Sequence, residues 1–344
     1  MEIYYHEDQI IYHPKSEFAG DSMRKYPENP QRIISIMNKI NKDPNFSVIS
    51  PTIVDKDIIA LIHDLEYINF IEGGLPKDWK GEVEEVAPTM FYRSLEDLVS
   101  PSPDRQPNSF QSKLGYYFFD PSTPFTNDSY ISALSSASAG IACVESLINN
   151  QNTAVALCRP PGHHSTASTG GGYCFFNNIA IAAQYLVNKG KSVSILDLDF
   201  HHGNGTQKIF YHTNQVQYVS IHGDPRTNYP FYWGFKDEKG SGDGIGFNHN
   251  FPVDGAISEE SYLQTMDLAI DQINEYSPDI VLLSMGFDTF YKDPVAGMRL
   301  KETSYSKIGE KLRDFSKLGI FLEGGYSIKE LGTNFVNLNA PLII

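Results

Sequence analysis

Two aspartates and two adjacent histidines stand together in Leu196-Asp197-Leu198-Asp199-Phe200-His201-His202-Gly203-Asn204-Gly205. They follow Ser192-Val193-Ser194-Ile195, an apolar, β-branched run that reads as a buried strand. On an extended backbone Asp199 and His201 face the same side, with Asp197 in phase and His202 out of phase. One carboxylate oxygen and one imidazole nitrogen on one side supply two of the three protein ligands of a catalytic zinc site, which keeps its fourth position open. The third expected ligand is Asp288, the acid placed just past the apolar run 279–285 and before Asp293.

Other chemical groups fall at the ends of similar runs. Arg159-Pro160-Pro161-Gly162-His163-His164 offers two histidines in one stiff turn, candidates for general base and acid because imidazole titrates near neutrality. Glu323-Gly324-Gly325-Tyr326 can bring a phenol donor to a developing oxyanion. Gly170-Gly171-Gly172 suggests backbone lying close to a ligand, and Tyr173 after it can wall an apolar channel. Phe175 and Phe176 read as core.

These groups need a common edge to meet on. Strands are predicted at 153–158, 192–197, 216–222, 279–285 and 319–323, and helices at 178–187, 259–276 and 304–317. Upstream, Ile3-Tyr4-Tyr5 reads as a strand, 33–40 as a helix, and 54–70 has near-helical apolar spacing. A small-residue helix over 130–148 is expected to be capped by Asp128-Ser129. Buried strands alternating with helices predict a parallel sheet covered on both faces, with its site at the carboxyl ends of the strands. Between about 72 and 124 Gly, Pro and Ser recur, and Ser100-Pro101-Ser102-Pro103-Asp104 is not regular structure. The aromatic run Tyr116-Tyr117-Phe118-Phe119 predicts that the far end of this insertion is packed, near a site or against another subunit. The reading is one catalytic domain over 1–344 with a long loop inserted.

Composition narrows the function classes. With 344 residues and 41% hydrophobic residues, one large core is possible. A net charge of −15 argues against a nucleic-acid partner and suits a cationic ligand. The three cysteines form no CxxC pair, which fits a reducing compartment. The N-terminus does not read as a signal peptide, and no run reads as a membrane span, so a cytoplasmic protein is expected. Gly190-Lys191-Ser192 only imitates the end of a phosphate loop, and no G-x-S-x-G elbow is present.

Taken together, 159–164, 171–177, 197–205, 284–288 and 323–326 resemble the zinc-dependent histone deacetylase superfamily, in an order and spacing that cover nearly the whole chain. Asn204 in His-His-Gly-Asn-Gly-Thr-Gln resembles the class II and bacterial branch. Within it, Gly115-Tyr116-Tyr117, Ser220-Ile221-His222-Gly223-Asp224-Pro225 and Asp288-Thr289-Phe290 look most like acetylpolyamine amidohydrolases. The resemblance implies a three-layer α/β arginase–deacetylase fold, with a central, mostly parallel sheet and helices on both faces. It implies zinc on Asp199, His201 and Asp288, His163 oriented by Asp197, His164 oriented by Asn204, and Tyr326 polarising the acetyl carbonyl. Tyr173, Gly172 and Tyr229 would line the acyl channel. One structural potassium would sit on Asp197, the backbones of Asp199 and His201, and Ser220, with a second monovalent ion near Phe210, Thr213 and Val216. Where acetylpolyamine enzymes can carry acids beside the Gly-Tyr-Tyr segment, this chain has Gln111 and Ser122, with Asp120 the nearest acid. The expected activity is deacetylation of small acetylated amines; Asp120, able to hold a peptide amide, would favour acetyl-lysine in peptides. The implied assembly is a homodimer built with the inserted loop. A manganese ureohydrolase would need more bridging aspartates, and an acyl-lysine binding module would have lost a ligand or Tyr326.

Overall fold

The computed structural model describes residues 1–18, 22–79, 85–91, 107–149 and 151–343. Its centre is an eight-stranded sheet whose paired strands all run parallel. In chain order the strands are β1 Glu2–Tyr4, β4 Ser47–Ile49, β5 Thr153–Ala156, β6 Val193–Asp197, β7 Val216–Gly223, β8 Asn248–Val253, β9 Ile280–Met285 and β10 Leu318–Leu322. The numbers β2 and β3 belong to a small antiparallel hairpin, Ser16–Phe18 with Met23–Lys25. The spatial order β4-β1-β5-β10-β9-β6-β7-β8 puts β6, β9 and β10 side by side at the centre. The chemistry predicted from three distant sequence segments therefore emerges from one edge.

Alternation along each strand separates two cores. Leu196, Leu283, Leu318, Ile320 and Leu322 face one side. There they pack on helices α1 Gln31–Ile40, α8 Glu259–Tyr276, α9 Glu302–Leu312 and α10 Ile328–Asn339, through residues such as Ile36, Met266, Ile308 and Phe335. Val193, Ile195, Leu282 and Phe321 face the other side, against α5 Ser129–Ile148, α6 Asn178–Asn188 and α7 Asn204–Phe210. A third apolar cluster, rich in tyrosine and phenylalanine, lies around the site. It includes Tyr12, Tyr26, Tyr67, Phe118, Tyr173 and Tyr326.

Several local expectations need adjusting. The spacing over 54–70 divides into α2 Lys56–Ile59 and α3 Leu65–Gly73. Between them His63 turns inward, and its Nε2 accepts the Asn177 amide at 2.9 Å. The helix predicted over 304–317 stops at Leu312. After it Arg313, Asp314, Ser316 and Lys317 offer little to the core, and the Lys317 ammonium donates to the carbonyls of Leu147 and Gln151. β4 and β8 had no sequence signal: one is very short, and the other carries Asn248, His249, Asn250 and Pro252 at the sheet edge. Asp128 does not cap α5 with its side chain; instead the Ser129 hydroxyl accepts the Thr126 amide at 2.9 Å. That helix is long and apolar enough to cross a membrane, contrary to expectation, but 72% of its apolar window is buried against the sheet.

Within the insertion, α4 Phe110–Tyr117 forms behind a Ser109–Ser112 capping box. Tyr117 stacks on Phe70 at 4.9 Å, and Phe70 stacks on Phe125 at 5.4 Å. The far end is thus packed on the same molecule, because its aromatic rings find partners on α3 and the segment before α5. The Ser100-Pro101-Ser102-Pro103-Asp104 stretch lies outside the described residues.

Candidate metal centre and acyl channel

β6 and β9 are hydrogen-bonded neighbours, with Asp197 opposite Ser284. The chain past each strand end therefore meets the other. Ligand atoms of Asp199, His201 and Asp288 all lie within 4.8 Å of one another, the one such group among the described residues. His201 Nδ1 is 3.0 Å from Asp288 Oδ2 and 3.3 Å from Asp199 Oδ1. The outer oxygens are held by backbone amides: Asp199 Oδ2 accepts Gly324 N at 2.7 Å, and Asp288 Oδ1 accepts Phe200 N at 3.0 Å. A side chain at Gly324 would put its Cβ 2.6 Å from an oxygen of each carboxylate, so only glycine permits this approach.

Electrostatics mark the triad as a cation site. Burial and the neighbouring Asp199 carboxylate push Asp288 up to about 7. Burial opposes charge on His201, but its hydrogen bonds to Asp199 and Asp288 win and hold it up at about 9. Two buried carboxylates converging on one imidazole are relieved by a shared cation, and two oxygens plus one nitrogen are a donor set that fits zinc with a position left open.

The two histidines of the first turn sit beside this triad, with ring centroids 4.0 Å apart. His163 Nδ1 is 3.1 Å from Asp197 Oδ2, and His164 Nδ1 is 2.7 Å from Asn204 Oδ1. Their environments differ. Burial would lower His163, but the Asp197 and Asp199 carboxylates overcome it and hold it up at about 10. His164 has only a neutral amide as partner, and burial, then the charges of His163 and His201, push it well down. Glu323 braces this turn, accepting Gly162 N at 2.7 Å and His163 N at 3.2 Å.

Tyr326 closes the opposite side. Its ring lies under the Arg32 guanidinium, 5.0 Å from the centroid, and edge-on to Tyr173 at 5.7 Å. Arg32 is fully buried, donates to the carbonyls of Gly325 and Glu323, and pairs with Glu28 at 2.9 Å. Burial keeps the Tyr326 phenol protonated far above neutrality.

A cavity of about 230 Å³ runs from this centre outward. His163, His164, Asp199, His201 and Tyr326 form its base, and Gly172, Tyr173 and Tyr229 its walls. Gly172, at φ +56°, lies against the His164 ring where a Cβ would collide. Asp120 sits behind this wall: Oδ2 accepts Gly172 N at 3.0 Å and the Tyr229 hydroxyl, while Oδ1 accepts the Ser122 amide at 2.9 Å and its hydroxyl at 2.6 Å. Nearer the hairpin, Glu17 Oε1 accepts the Tyr173 hydroxyl at 3.1 Å and Arg24 Nε at 2.6 Å, and Oε2 has no partner among the described residues.

Ser220 lies opposite Asp197 in the β6–β7 register, where its hydroxyl meets His222 Nδ1 at 2.7 Å. The His222 ring lies beside that of His202, tilted to it with centroids 4.5 Å apart. His202 itself turns away from the triad to Gln207. Glu17, Arg32 and His63 carried no signal in the sequence, because a buried polar side chain has no characteristic spacing. Glu323 stood inside a quoted motif but was overshadowed by its tyrosine.

A parallel three-layer α/β fold with an Asp–His–Asp triad able to hold a metal, a histidine pair and a phenol around one narrow cavity is the arrangement of a hydrolase. The histone deacetylase domain model matches residues 26–340, and the chain belongs to that family. It is a deacetylase-type amidohydrolase. Similar proteins include acetylpolyamine amidohydrolase 2 of Pseudomonas aeruginosa, 36% identical over 97% of this chain and 96% of its own length. The acetylpolyamine amidohydrolase of Mycoplana ramosa is 32% identical over 98% of both chains. The crystal structure of the acetylpolyamine aminohydrolase from Burkholderia pseudomallei superposes with a TM-score of 0.91 at 32% identity, over 99% of this chain and 98% of that one. The architecture is thus the arginase–deacetylase fold that the sequence resemblance implied.

Proposed function

We propose that this chain, acting as one catalytic domain, is a zinc-dependent deacetylase that releases acetate from acetylpolyamines or acetylated diamines. The observation that carries the amide hydrolysis is the convergence of Asp199, His201 and Asp288 with His163, His164 and Tyr326 on one cavity. Zinc on the triad would supply Lewis acidity toward the acetyl carbonyl and the attacking water. His164 donates Nδ1–H to the Asn204 amide oxygen, so Nε2 carries the lone pair and takes the water's proton. His163, whose Nδ1 pairs with the Asp197 carboxylate at 3.1 Å, is placed to give a proton to the departing amine nitrogen as the C–N bond breaks. The Tyr326 hydroxyl donates to the oxygen that gains negative charge.

The choice of a small amine over an acetyl-lysine peptide is supported by Asp120. A carboxylate has about four lone-pair sites, and its four donors here, two from Ser122 with Gly172 and Tyr229, fill them. A peptide amide would have to displace one of these donors. Glu17 adds support, since its carboxylate lines the cavity, has one oxygen without a partner among the described residues, and suits an ammonium. The relatives' names and the −15 charge point the same way. A potassium on Asp197 and Ser220, a second monovalent ion near Phe210, Thr213 and Val216, a cytoplasmic location and a homodimer complete the reading. The test is a comparison of deacetylation rates on N-acetylputrescine, N-acetylcadaverine and an acetyl-lysine peptide. The first two should be hydrolysed faster; a peptide hydrolysed faster than both would reverse the assignment.

A further inference from the structure

The tyrosine at the cavity base is attached to an intrinsically loose stretch of chain. Gly324 and Gly325 precede it, and Gly325 adopts φ +118°, a conformation that L side chains rarely adopt. Little in the covalent chain fixes where the Tyr326 Cα sits. The restraint comes from outside, and much of it comes from one residue with no role so far. Asp293 is 9% exposed and belongs to the segment that follows Asp288. Its Oδ2 accepts the Tyr326 amide at 2.6 Å and the Ser327 amide at 3.1 Å. Its Oδ1 accepts the Val295 amide at 2.9 Å and the Ala296 amide at 3.2 Å. Four N–H donors fill the four lone-pair sites of one carboxylate, so both oxygens are fixed in place.

This arrangement does more than close a loop. Val295 lines the same cavity as Tyr326. The Asp293 carboxylate therefore ties a channel wall to the root of the phenol, across the gap between the segments that follow β9 and β10. Ser327 is the residue just before α10, and its hydroxyl donates to the Glu330 carboxylate at 2.9 Å and accepts no backbone amide of the first turn. The helix start thus leans on Asp293 as well. A tyrosine anchored at its amide within hydrogen-bond length keeps its hydroxyl at the place where the carbonyl oxygen gains charge. Misplacement by about 1 Å at such a point costs on the order of a hundredfold in rate.

We infer that Asp293 is a positioning residue for the reaction: its carboxylate holds the Tyr326 and Val295 segments together so that the phenol meets the substrate carbonyl. The inference rests on the proposed role of Tyr326 and adds to it the group through which that role is maintained. Asp293 touches no substrate in this scheme, and its whole effect on turnover passes through the tyrosine.

A double-mutant cycle tests it on the full-length enzyme with N-acetylputrescine. Asp293→Asn keeps the size but sets an amide NH2 against two backbone N–H groups. It should lower kcat by roughly tenfold or more, with KM changed less than about twofold. Asp293→Glu keeps the charge but moves the oxygens by one methylene; it should lower kcat in the same sense, and it decides the matter if the asparagine variant does not fold. In a Tyr326→Phe background the same substitutions should cost less than about twofold, because the hydroxyl being positioned is already gone. A merely structural role would lower kcat equally in both backgrounds, and that additivity overturns the inference. So does unchanged kcat in both Asp293 variants. If Tyr326→Phe alone keeps full turnover, the role of the tyrosine fails first and takes the inference with it; additive losses beside an impaired Tyr326→Phe enzyme refute the inference alone.

Discussion

At the level of single residues, the site is a set of groups whose charges would repel without a cation. Asp199 and Asp288 converge on His201 within 4.8 Å, and Asp288 is pushed up to about 7 by burial and by its neighbour. Replacing Asp199 or His201 by alanine should therefore abolish zinc retention together with activity; metal analysis after dialysis checks it, and full occupancy in both variants would contradict the ligand assignment. Tyr326→Phe removes one hydroxyl and almost no volume. Turnover should fall by about a hundredfold or more while substrate still binds, as expected for a donor that acts on the oxyanion. Steady-state kinetics separates this from packing, since a tyrosine that only fills space would leave kcat near the wild-type value.

At the level of elements, the glycine loop and α6 are held from behind by a buried neutral histidine. His63 Nε2 accepts the amide of Asn177, the residue whose side chain caps α6, and its Nδ1 meets the Ala167 carbonyl at 3.3 Å. Burial lowers His63 to about 4 from 6.5, so below 6.5 the unfolded chain binds a proton that the folded chain refuses. Stability from this residue is complete above pH 6.5 and is lost as pH falls toward 4, on the order of 3 kcal/mol in total. His63→Gln keeps a donor and an acceptor but cannot titrate. Denaturant unfolding between pH 7 and 4 should show a shallower loss of stability in this variant than in the wild type. Some slope should remain, because His222 is lowered to about 4 by burial in the same sense. Identical slopes in the two proteins would assign the acid sensitivity elsewhere.

At the level of the whole molecule, the inserted loop is anchored at both described ends. Its α4 end stacks on α3, and Val86 pairs with Phe125 in an isolated bridge. An insertion so anchored beside the channel is expected to help form a homodimer and to restrict entry to slender substrates. Light scattering at micromolar concentration should report a dimer, and deletion of residues 100–108 should loosen it and raise the rate on acetyl-lysine peptides. A strict monomer, or unchanged peptide selectivity after deletion, would leave the loop without either role and would favour a larger substrate.

The sequence alone determined those features that depend on local periodicity and on chemistry carried by neighbouring residues. Buried strands 192–197 and 279–285 were legible because alternation and β-branching over several residues mark a core strand, and α8 was legible over its full length from its helical spacing. Asp199 and His201 were legible as candidate ligands because they stand two residues apart just past a strand, and the structure brings both to Asp288. Tertiary structure alone decided what depends on distant segments meeting. Asp120 was read as a group free to hold a peptide amide, but Gly172, Ser122 and Tyr229 occupy it, and no spacing records that Tyr229 approaches from 109 residues away. The different partners of His163 and His164, one a carboxylate and one a neutral amide, are likewise invisible in a His-His pair. They differ because β6 places Asp197 beside one ring, whereas the start of α7 places the neutral amide of Asn204 beside the other. Arg32, Glu17 and Asp293 follow the same rule: a buried charge is specified by the partners that surround it, and those partners come together only when the sheet has aligned its strand ends.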